Sequence, residues 1–350
     1  MSARRVLITG IGGSIGIDVA RSLRQDPGLH LTGADGSPWG RQIGERLCDE
    51  VVELPRADRD PEGFYRALGE VLVRRDIDFA FVNPDPELEA LAGLDALPPR
   101  AHALPPTPVL RLFLDKAATA SRATEQGLGD LFPDTRRVDD SASLERAFGE
   151  LEPPLWLRAT TGPGGRGSLP VETADEARAW IGYWDRRDRS DSWVLQELLP
   201  GSNFNWTGLY VAGRRVVEAA MERLSYFLSA PTVSGVSGQV ALCRTVPAER
   251  LRDTSERVIR ALDPQPHGLY SVDLREDRRG APRVTEVNPR LAGRPSLYTR
   301  AGVNLPLAAA RALTGGKIGD AVTAEGPEIG LHLYRQLDVA PIFGHPGDGP

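Results

Sequence analysis

Cysteine is almost absent from this 350-residue chain, which has two, at positions 48 and 243. Two cysteines so far apart form neither a disulfide framework nor a cysteine-based metal motif. Long apolar runs are also missing, since the longest resemble the short segment Phe79-Ala80-Phe81-Val82, whereas a membrane-spanning helix needs about 20 residues. The N-terminus lacks the apolar core of a signal peptide. We therefore expect a cytoplasmic protein that has no membrane partner.

Lysine is equally scarce, because Lys116 and Lys317 are the two lysines among 42 basic residues. Lysine is a compact point charge and arginine a planar fork, so a lysine kept against a strong arginine bias suggests a specific role. We favour such a role for Lys116 and not for Lys317. The net charge of −6, with 48 acidic residues interspersed, argues against nucleic-acid binding through phosphate contacts.

Nucleophile and acid–base motifs are missing as well. The five histidines are scattered, and no serine or cysteine constellation is present. The strand at residues 6–9 runs into the glycine turn 10–16, and Asp35 follows the next strand, an arrangement that invites a dinucleotide-binding interpretation. However, none of the seven tyrosines has a lysine four residues later, which argues against a short-chain dehydrogenase. A structural glycine turn is the favoured alternative.

Alternation of strands and helices organises the first hundred residues. Apolar strands at 29–33, 51–54 and 78–82 and a helix at 61–74 predict a doubly wound parallel sheet. A stretch with five prolines, residues 97–108, then indicates a linker.

A glycine-rich loop follows the next strand, Leu155-Trp156-Leu157-Arg158. It spans residues 159–168 and holds four glycines, whose backbone amides can converge on an anion. Arg158 at the strand end adds a fixed charge suited to phosphate. Phosphate binding and a plain flexible hairpin both remain open from this pattern.

A hairpin near the C-terminus carries the strongest local pattern. Strands at 270–274 and 283–288 alternate, so that Asp273, Glu286 and Asn288 point to one face in either of two symmetric registers. Three oxygen donors suit Mg²⁺, and Arg290 and Arg294 follow at once. A solvated sheet face is the alternative, but carboxylates, an amide and arginines together better describe a site for polyphosphate and metal.

The order of four motifs resembles the ATP-grasp ligase superfamily. They are Asp115-Lys116, the basic strand end with its glycine-rich loop, the segment 196–201 (QELLPG), and the segment 286–290 (EVNPR). The resemblance covers nearly the whole chain and is greatest to the carbamoyl phosphate synthetase-like branch, which includes the amino-acid ligase of pyrrolysine synthesis. It implies an α/β protein with an N-terminal doubly wound pre-ATP-grasp domain and a two-lobed α+β ATP-grasp domain. The expected boundaries are 1–108, 109–195 for the small lobe, 196–320 for the large lobe, and 321–350 for a C-terminal extension.

The resemblance also implies a nucleotide site. Lys116 and Arg158 would hold the ATP phosphates, under the loop residues Gly164, Gly165 and Gly167. Most members have lysine at the position of Arg158, but the carbamoyl phosphate synthetase branch has arginine.

The base and the ribose would lie farther along the chain. Glu197 and the backbone around Leu199 would face the adenine. Asn203 stands where many members have a ribose-binding glutamate. This difference leaves the nucleotide affinity and the preferred nucleotide open.

The terminal hairpin would bind the metal. Asp273, Glu286 and Asn288 would hold Mg²⁺, or Mn²⁺ in its place. Arg290 would meet the transferred phosphoryl group, and Arg294 would meet that group or the substrate.

The implied reaction joins a carboxylate to an amine through an acyl phosphate, in small-molecule biosynthesis. The expected partners are ATP and the two small-molecule substrates, and a homodimer is left open. Two alternatives are a nucleotide-binding ATP-grasp protein without ligase activity and an ATP-dependent ligase with a thiol or bicarbonate acceptor. Residues 221–239 would shape the acceptor pocket or form a surface loop.

Overall fold

The computed structural model describes residues 4–161, 167–187, 192–227 and 239–336, and the backbone of 339–344. Within these ranges the chain forms three β-sheets with flanking helices. The N-terminal sheet is parallel, in the strand order β3-β2-β1-β4-β5. Its strands are β1 (Arg4–Thr9), β2 (Leu29–Asp35), β3 (Glu50–Glu53), β4 (Phe79–Phe81) and β5 (Ala101–His102), and its helices are α1 (Ser14–Leu23), α2 (Pro38–Gly44), α3 (Pro61–Arg74) and α4 (Asp85–Gly93). The predicted doubly wound fold is therefore confirmed.

The glycine turn after β1 has a packing reason. Gly10 has a φ of +58°, and a Cβ atom there would lie 2.4 Å from the ring of Pro84. A Cβ atom on Gly16 would lie 2.3 Å from the carbonyl oxygen of Gly10. The chain can thus pass directly from the buried strand into α1 only because these positions have no side chain.

Strand β1 lies at the switch point of the sheet, between β2 and β4. Thr9 ends β1, and Asn83 follows β4. The Asn83 amide N–H donates to Thr9 Oγ1 at 3.2 Å, and Asn83 Nδ2 donates to the Thr9 carbonyl at 3.3 Å. Ligands of doubly wound proteins bind in the crevice at this point, and here the crevice opens into a large cavity.

A four-stranded sheet in the order β6-β9-β7-β8 forms the second layer, and its neighbouring strands are antiparallel. Its elements are β6 (Thr135–Val138), α7 (Ser141–Glu150), β7 (Leu155–Ala159), β8 (Leu169–Val171), α8 (Ala174–Asp185) and β9 (Trp193–Glu197). Leu155, Leu157 and Leu195 are fully buried in its core. Helices α5 (Thr107–Leu114) and α6 (Lys116–Glu125) precede it.

The third sheet has seven strands in the order β14-β13-β10-β11-β12-β15-β16. Its strands are β10 (Asn203–Val211), β11 (Arg214–Tyr226), β12 (Val240–Thr245), β13 (Gly268–Glu276), β14 (Pro282–Asn288), β15 (His332–Gln336) and β16 (Val339–Gly344), and its helices are α9 (Glu249–Leu262), α10 (Pro295–Arg300) and α11 (Leu305–Ala312). Helix α9 buries one face, including Leu251, Val258 and Ile259, and these side chains belong to the apolar core of the sheet.

The β13–β14 hairpin adopts one of the two expected registers. Asp273 lies opposite Glu286, and Ser271 lies opposite Asn288. An irregularity after Asp273 leaves Thr285 without an opposite residue. Because directly opposed residues project to the same face, the hairpin presents the Asp273 and Glu286 carboxylates side by side.

One feature differs from the sequence-based expectation. The proline-rich stretch is not simply a linker, since Ala101 and His102 pair with β4 as a fifth strand and α5 begins at Thr107. The C-terminal strands β15 and β16 extend the large sheet.

Among the described residues, no helix is long and apolar enough to cross a membrane. The domain boundaries remain a prediction.

Candidate active site

A cavity of about 680 Å³ is lined by residues of all three sheets. Ligand sites commonly enclose about 300–1,000 Å³, so this volume suits a nucleotide or a substrate of similar size. Its lining holds residues of both charges, and we name two groups of them. The basic wall consists of the lining residues Arg158, Arg223, Arg290 and Arg294, and the acidic wall consists of Asp35, Asp58, Asp85 and Glu87.

Lys116 is held at the start of α6, beside the basic wall. Asp115 caps this helix, since its Oδ1 accepts from the amides of Ala117 and Ala118 at 2.9 and 3.0 Å. The Lys116 amide donates to the Thr160 carbonyl at 3.0 Å. The side chain is buried, and its Nζ lies 3.8 Å from Glu286 Oε2.

Arg158 reaches the same carboxylate from the end of β7. Its Nη2 donates to Glu286 Oε2 at 2.7 Å, and its Nη1 donates to the Thr285 carbonyl at 3.3 Å. The Thr285 position left unpaired by the hairpin irregularity thus contributes a backbone acceptor. Glu286 joins two cations that come from separate parts of the sequence.

Burial and charge act in opposite directions on this cluster. Burial alone would raise the pKa of the Glu286 carboxyl, but Lys116 and Arg158 together lower that pKa to about 2. Burial lowers the pKa of Lys116, and Glu286 opposes this effect. The carboxylate is therefore ionised at neutral pH, and the two cations need it because a buried charge without a partner is costly.

Asp273 is held by side chains of the next two strands along the sheet, β10 and β11. Its Oδ1 accepts from Asn205 Nδ2 and from Arg223 Nη2, each at 2.7 Å. Arg223 Nη1 also donates to Asn203 Oδ1 at 3.1 Å, and Asn203 Nδ2 donates to the Tyr226 hydroxyl at 2.7 Å. The Asn203 side-chain amide, expected at the ribose, therefore accepts one hydrogen bond through its oxygen and donates another through its nitrogen.

The donor set of the hairpin fits a hard cation such as Mg²⁺. Asp273 and Glu286 are opposed carboxylates, and Asn288 lines the same cavity. Carboxylate and amide oxygens are the donors that Mg²⁺ accepts beside waters and phosphates. Over the described ranges, no group of three or more His, Cys, Asp or Glu side chains forms a metal cluster, so a bound cation would draw further oxygens from a ligand or from water.

The two arginines after the hairpin make different contacts. Arg290 Nε donates to Asp85 Oδ1 at 2.8 Å, and its Nη1 donates to the Leu291 carbonyl at 3.0 Å. Arg290 therefore bridges the basic and acidic walls. Arg294 is 2% exposed, and its Nη2 donates to Gln239 Oε1 at 3.1 Å and to the Val240 carbonyl at 3.3 Å.

The expected base-binding segment lines another part of the cavity. Glu197 and Leu199 both line it, together with the ring of Trp156 from the neighbouring strand. Gly167, with a φ of +77°, is at the end of the glycine-rich loop, and a Cβ atom there would lie 3.3 Å from the Trp193 ring. Gly164 and Gly165 lie outside the described residues, as do residues 228–238 of the segment expected to shape the acceptor pocket.

The acidic wall surrounds the switch-point crevice. The Thr9 hydroxyl donates to Glu87 Oε2. Burial and the nearby Asp35 carboxylate raise the pKa of Glu87 to about 8, against the lowering effect of the Thr9 hydrogen bond. Asp35 is held by the Gly12 amide at 2.9 Å and by the Ser37 hydroxyl at 2.8 Å. Glu87 is thus largely protonated at neutral pH, unlike Glu286.

Sequence reasoning did not identify Asp85, Glu87 or Trp156 as site residues. Asp85 and Glu87 follow the end of β4, where chemistry-bearing residues of doubly wound sheets gather, and this position was a usable signal. Their partners lie 205 and 78 residues away in sequence. No local pattern could have indicated those pairings.

The sequence gives no significant match to any protein-family model or to any curated protein. The structure does match solved structures. An L-amino acid ligase from Bacillus licheniformis shares 15% identity at a TM-score of 0.67, over 95% of this chain and 79% of that one. An N5-carboxyaminoimidazole synthetase from Staphylococcus aureus, solved with ADP, shares 15% identity at 0.70, over 95% and 82%.

A third match is the biotin carboxylase domain of 2-oxoglutarate carboxylase from Hydrogenobacter thermophilus, solved with MgADP and bicarbonate. It shares 15% identity at a TM-score of 0.67, over 95% of this chain and 74% of that one. Identities this low establish the fold and not the substrates. The chain has the ATP-grasp fold, as its four ordered motifs predict.

Proposed function

We propose that this protein is an ATP- and Mg²⁺-dependent ligase that joins a carboxylate to an amine. One observation carries the proposal: Arg158 and Glu286 line the cavity beside the Asp273–Glu286 pair, and the buried Lys116 lies 3.8 Å from the same Glu286 carboxylate. Two fixed cations next to paired carboxylates are the groups that phosphoryl transfer from a metal–nucleotide complex requires. The matched structures include a ligase and proteins solved with ADP or MgADP, which supports this assignment.

The residues divide the work between two ends of the cavity. Lys116 and Arg158 would neutralise the phosphates of ATP, and Trp156, Glu197 and Leu199 would enclose the base. Asp273, Glu286 and Asn288 would hold Mg²⁺, which supplies positive charge where negative charge develops. When phosphate arrives, Lys116 and Arg158 would exchange part of their interaction with Glu286 for the phosphate oxygens.

The chemistry proceeds in two displacements. An oxygen of the substrate carboxylate attacks the γ-phosphorus, the bond from that phosphorus to the β,γ-bridging oxygen breaks, and ADP leaves. The amine nitrogen then attacks the acyl carbon, the bond from that carbon to the phosphate oxygen breaks, and inorganic phosphate leaves with one oxygen of the original carboxylate. The amine gives up a proton. Arg290 is positioned by Asp85 to stabilise the transferred phosphoryl group.

The experiment that tests this proposal is phosphate release from MgATP across a panel of carboxylic acids and amino acids, with Glu286→Gln protein as the background. We expect release that requires one carboxylate and one amine, with one phosphate per amide formed. Release that needs no amine would favour a different acceptor, such as a thiol or bicarbonate. ATP binding with no release across the panel would favour the alternative without ligase activity, which is motivated by Asn203 in place of a ribose-binding glutamate.

A further inference from the structure

Arg294 is the most deeply buried arginine of the basic wall, at 2% exposure. Its Nη2 is satisfied by Gln239 and the Val240 carbonyl. Its Nε and Nη1 are buried and have no hydrogen-bond partner within the part of the chain that the structure describes. Burying donors without acceptors is costly, so this guanidinium has capacity for another acceptor, and it lines the cavity.

Asp18 of α1 does not satisfy these donors. Its Oδ2 lies 3.8 Å from Arg294 Nη1, which is beyond hydrogen-bond distance. That oxygen is itself buried and has no hydrogen-bond partner in the described ranges. Burial, followed by the neighbouring Arg335, lowers the pKa of Arg294 to about 10 against the opposing pull of Asp18, so the guanidinium stays charged at neutral pH.

The N-terminus of α1 lies near Arg294, because Asp18 is one turn after Ser14 and its Oδ2 is 3.8 Å from Arg294 Nη1. Ser14, Ile15 and Gly16 form its first turn and line the cavity. The N-cap residue is Gly13, which provides no side chain to cap these amides. The first amides of a helix have no acceptor within the helix, and the helix dipole places partial positive charge there. Backbone donors and a buried guanidinium thus flank one region of the cavity.

We propose that Arg294 and the α1 N-terminus form a subsite for a carboxylate group of the amine substrate, the group that is not activated by ATP. This inference rests on the proposed ligase function. The helix start provides oriented amides for one anion, and Arg294 provides charged donors. The acceptor would then be an amino acid or a similar amino carboxylate.

The position of the subsite separates it from the phosphate-binding cluster. Arg294 contacts Gln239, the Val240 carbonyl and Asp18. Glu286 instead contacts Lys116 and Arg158, so the two clusters share none of these contact residues. We therefore assign the carboxylate at Arg294 to the acceptor and not to the group that attacks ATP. Asp18 lies close by, so a monoanion is accommodated better than a dianion such as phosphate.

The first experiment compares each L-amino acid with its α-amide as acceptor, at a fixed donor carboxylate that supports phosphate release. The parent protein should prefer the free acid in kcat/KM by at least about 10-fold, as expected for a charge-assisted contact. Arg294→Gln should remove most of this preference through a higher acceptor KM. Arg294→Lys should restore part of it.

Asp18→Asn is the matched variant of the pair. If Asp18 only competes with the substrate carboxylate, removing its charge should lower the acceptor KM and keep the preference for the acid. Loss of the preference in Asp18→Asn as severe as in Arg294→Gln would overturn the proposal, because the pair would then be structural. A preference that survives in Arg294→Gln would overturn it equally.

A binding measurement without ATP covers the case in which no panel member releases phosphate and the ligase proposal itself fails. Acetate and inorganic phosphate are titrated against the parent, Arg294→Gln and Asp18→Asn, with melting temperature as the readout. Acetate should give a saturable increase in the parent that is lost in Arg294→Gln and enlarged in Asp18→Asn, and phosphate should give less. An increase that is equal in parent and Arg294→Gln, no increase in the parent, or a stronger effect of phosphate would contradict the subsite.

Discussion

Glu286 and Glu87 line the same cavity, yet their environments shift the pKa values of their carboxyl groups in opposite directions. Both carboxyls are penalised by burial. Glu286 is flanked by Lys116 and Arg158, which lower its pKa to about 2, whereas Glu87 is met by a hydroxyl and by the Asp35 carboxylate, and its pKa is about 8. Neighbouring charge, not burial, therefore decides which of the two is an anion at neutral pH.

The difference distinguishes the two walls of the cavity. In the basic wall, arginines are paired with ionised carboxylates, as Arg158 is with Glu286. The acidic wall lies at the switch-point crevice and holds the largely protonated Glu87 carboxyl, which accepts from the Thr9 hydroxyl. Arg290 and Asp85 connect the walls. Each of the following variants changes one side of this comparison.

Glu286→Gln should have the largest effect. It removes a proposed metal ligand and leaves Lys116 and Arg158 buried without this anion. We expect turnover to fall by about 10²–10³-fold or more, and unfolding free energy to fall by about 3–5 kcal/mol. Steady-state kinetics and urea denaturation measure both effects.

Glu222→Gln is the matched control for this variant. Glu222 is also a buried glutamate paired with an arginine, Arg244, but it does not line the cavity. It should keep full activity. Equal loss of activity in both variants would mean that the Glu286 effect is general destabilisation.

Lys116→Met should have the next largest effect on activity. We expect kcat/KM for ATP to fall by about 10²-fold, because the variant loses a charge proposed to neutralise the phosphates. Lys116→Arg should recover part of this activity, since the fork is bulkier and its charge more spread. Lys317→Met is the control at the other lysine and should match the parent. If Lys116→Met also matches the parent, the phosphate-binding end of the basic wall is misassigned.

Asp85→Asn should reduce kcat by roughly 10-fold and leave the KM for ATP within about twofold, because Asp85 positions Arg290 without belonging to the nucleotide site. Asp85→Glu should restore part of kcat. Asp58→Asn is the control on the same wall, since its exposed pair with Arg56 should contribute little. A changed KM for ATP with unchanged kcat would remove Asp85 from its positioning role.

Glu87→Gln should change the pH dependence of stability. The folded-state pKa of Glu87 lies above the unfolded value of 4.5, so its contribution to stability is fully present below about pH 4.5. It is lost as pH rises through about 8. The glutamine variant has no carboxyl that can ionise at this position. Its melting temperature should therefore rise relative to that of the parent as the pH increases from 5 to 9. Parallel melting curves over that range would show that Glu87 is not held neutral.

Glu286 should affect stability at the acidic end of the pH range. Its folded pKa is lowered from 4.5 to about 2, so it stabilises the protein above about pH 4.5 and this contribution is lost as pH falls through about 2. The two carboxyls should thus limit stability from opposite sides of the pH range.

Local periodicity was enough to predict several elements. The helix expected at 61–74 has those bounds in the structure, because strong apolar spacing and clear ends identify it. The hairpin that pairs Asp273 with Glu286 was also one of two expected registers. Such features depend on residues that are near in sequence.

Pairings between distant strands were beyond sequence reasoning. Asp273 is held by Arg223 because β10 lies between β13 and β11, and no local pattern specifies that strand order. The same holds for Arg290, which follows β14, and Asp85, which begins α4, because the two are 205 residues apart. The motifs identified which residues gather, whereas their partners and pKa shifts depend on the tertiary fold.

The central claim is transfer of a phosphoryl group to a substrate carboxylate, and isotope transfer tests it most directly. A donor carboxylate labelled with ¹⁸O is incubated with MgATP, an amine and the enzyme, and the released phosphate is analysed by mass spectrometry. The acyl phosphate route predicts one ¹⁸O atom in each phosphate and none in ADP. Unlabelled phosphate, or label in AMP, would contradict the account.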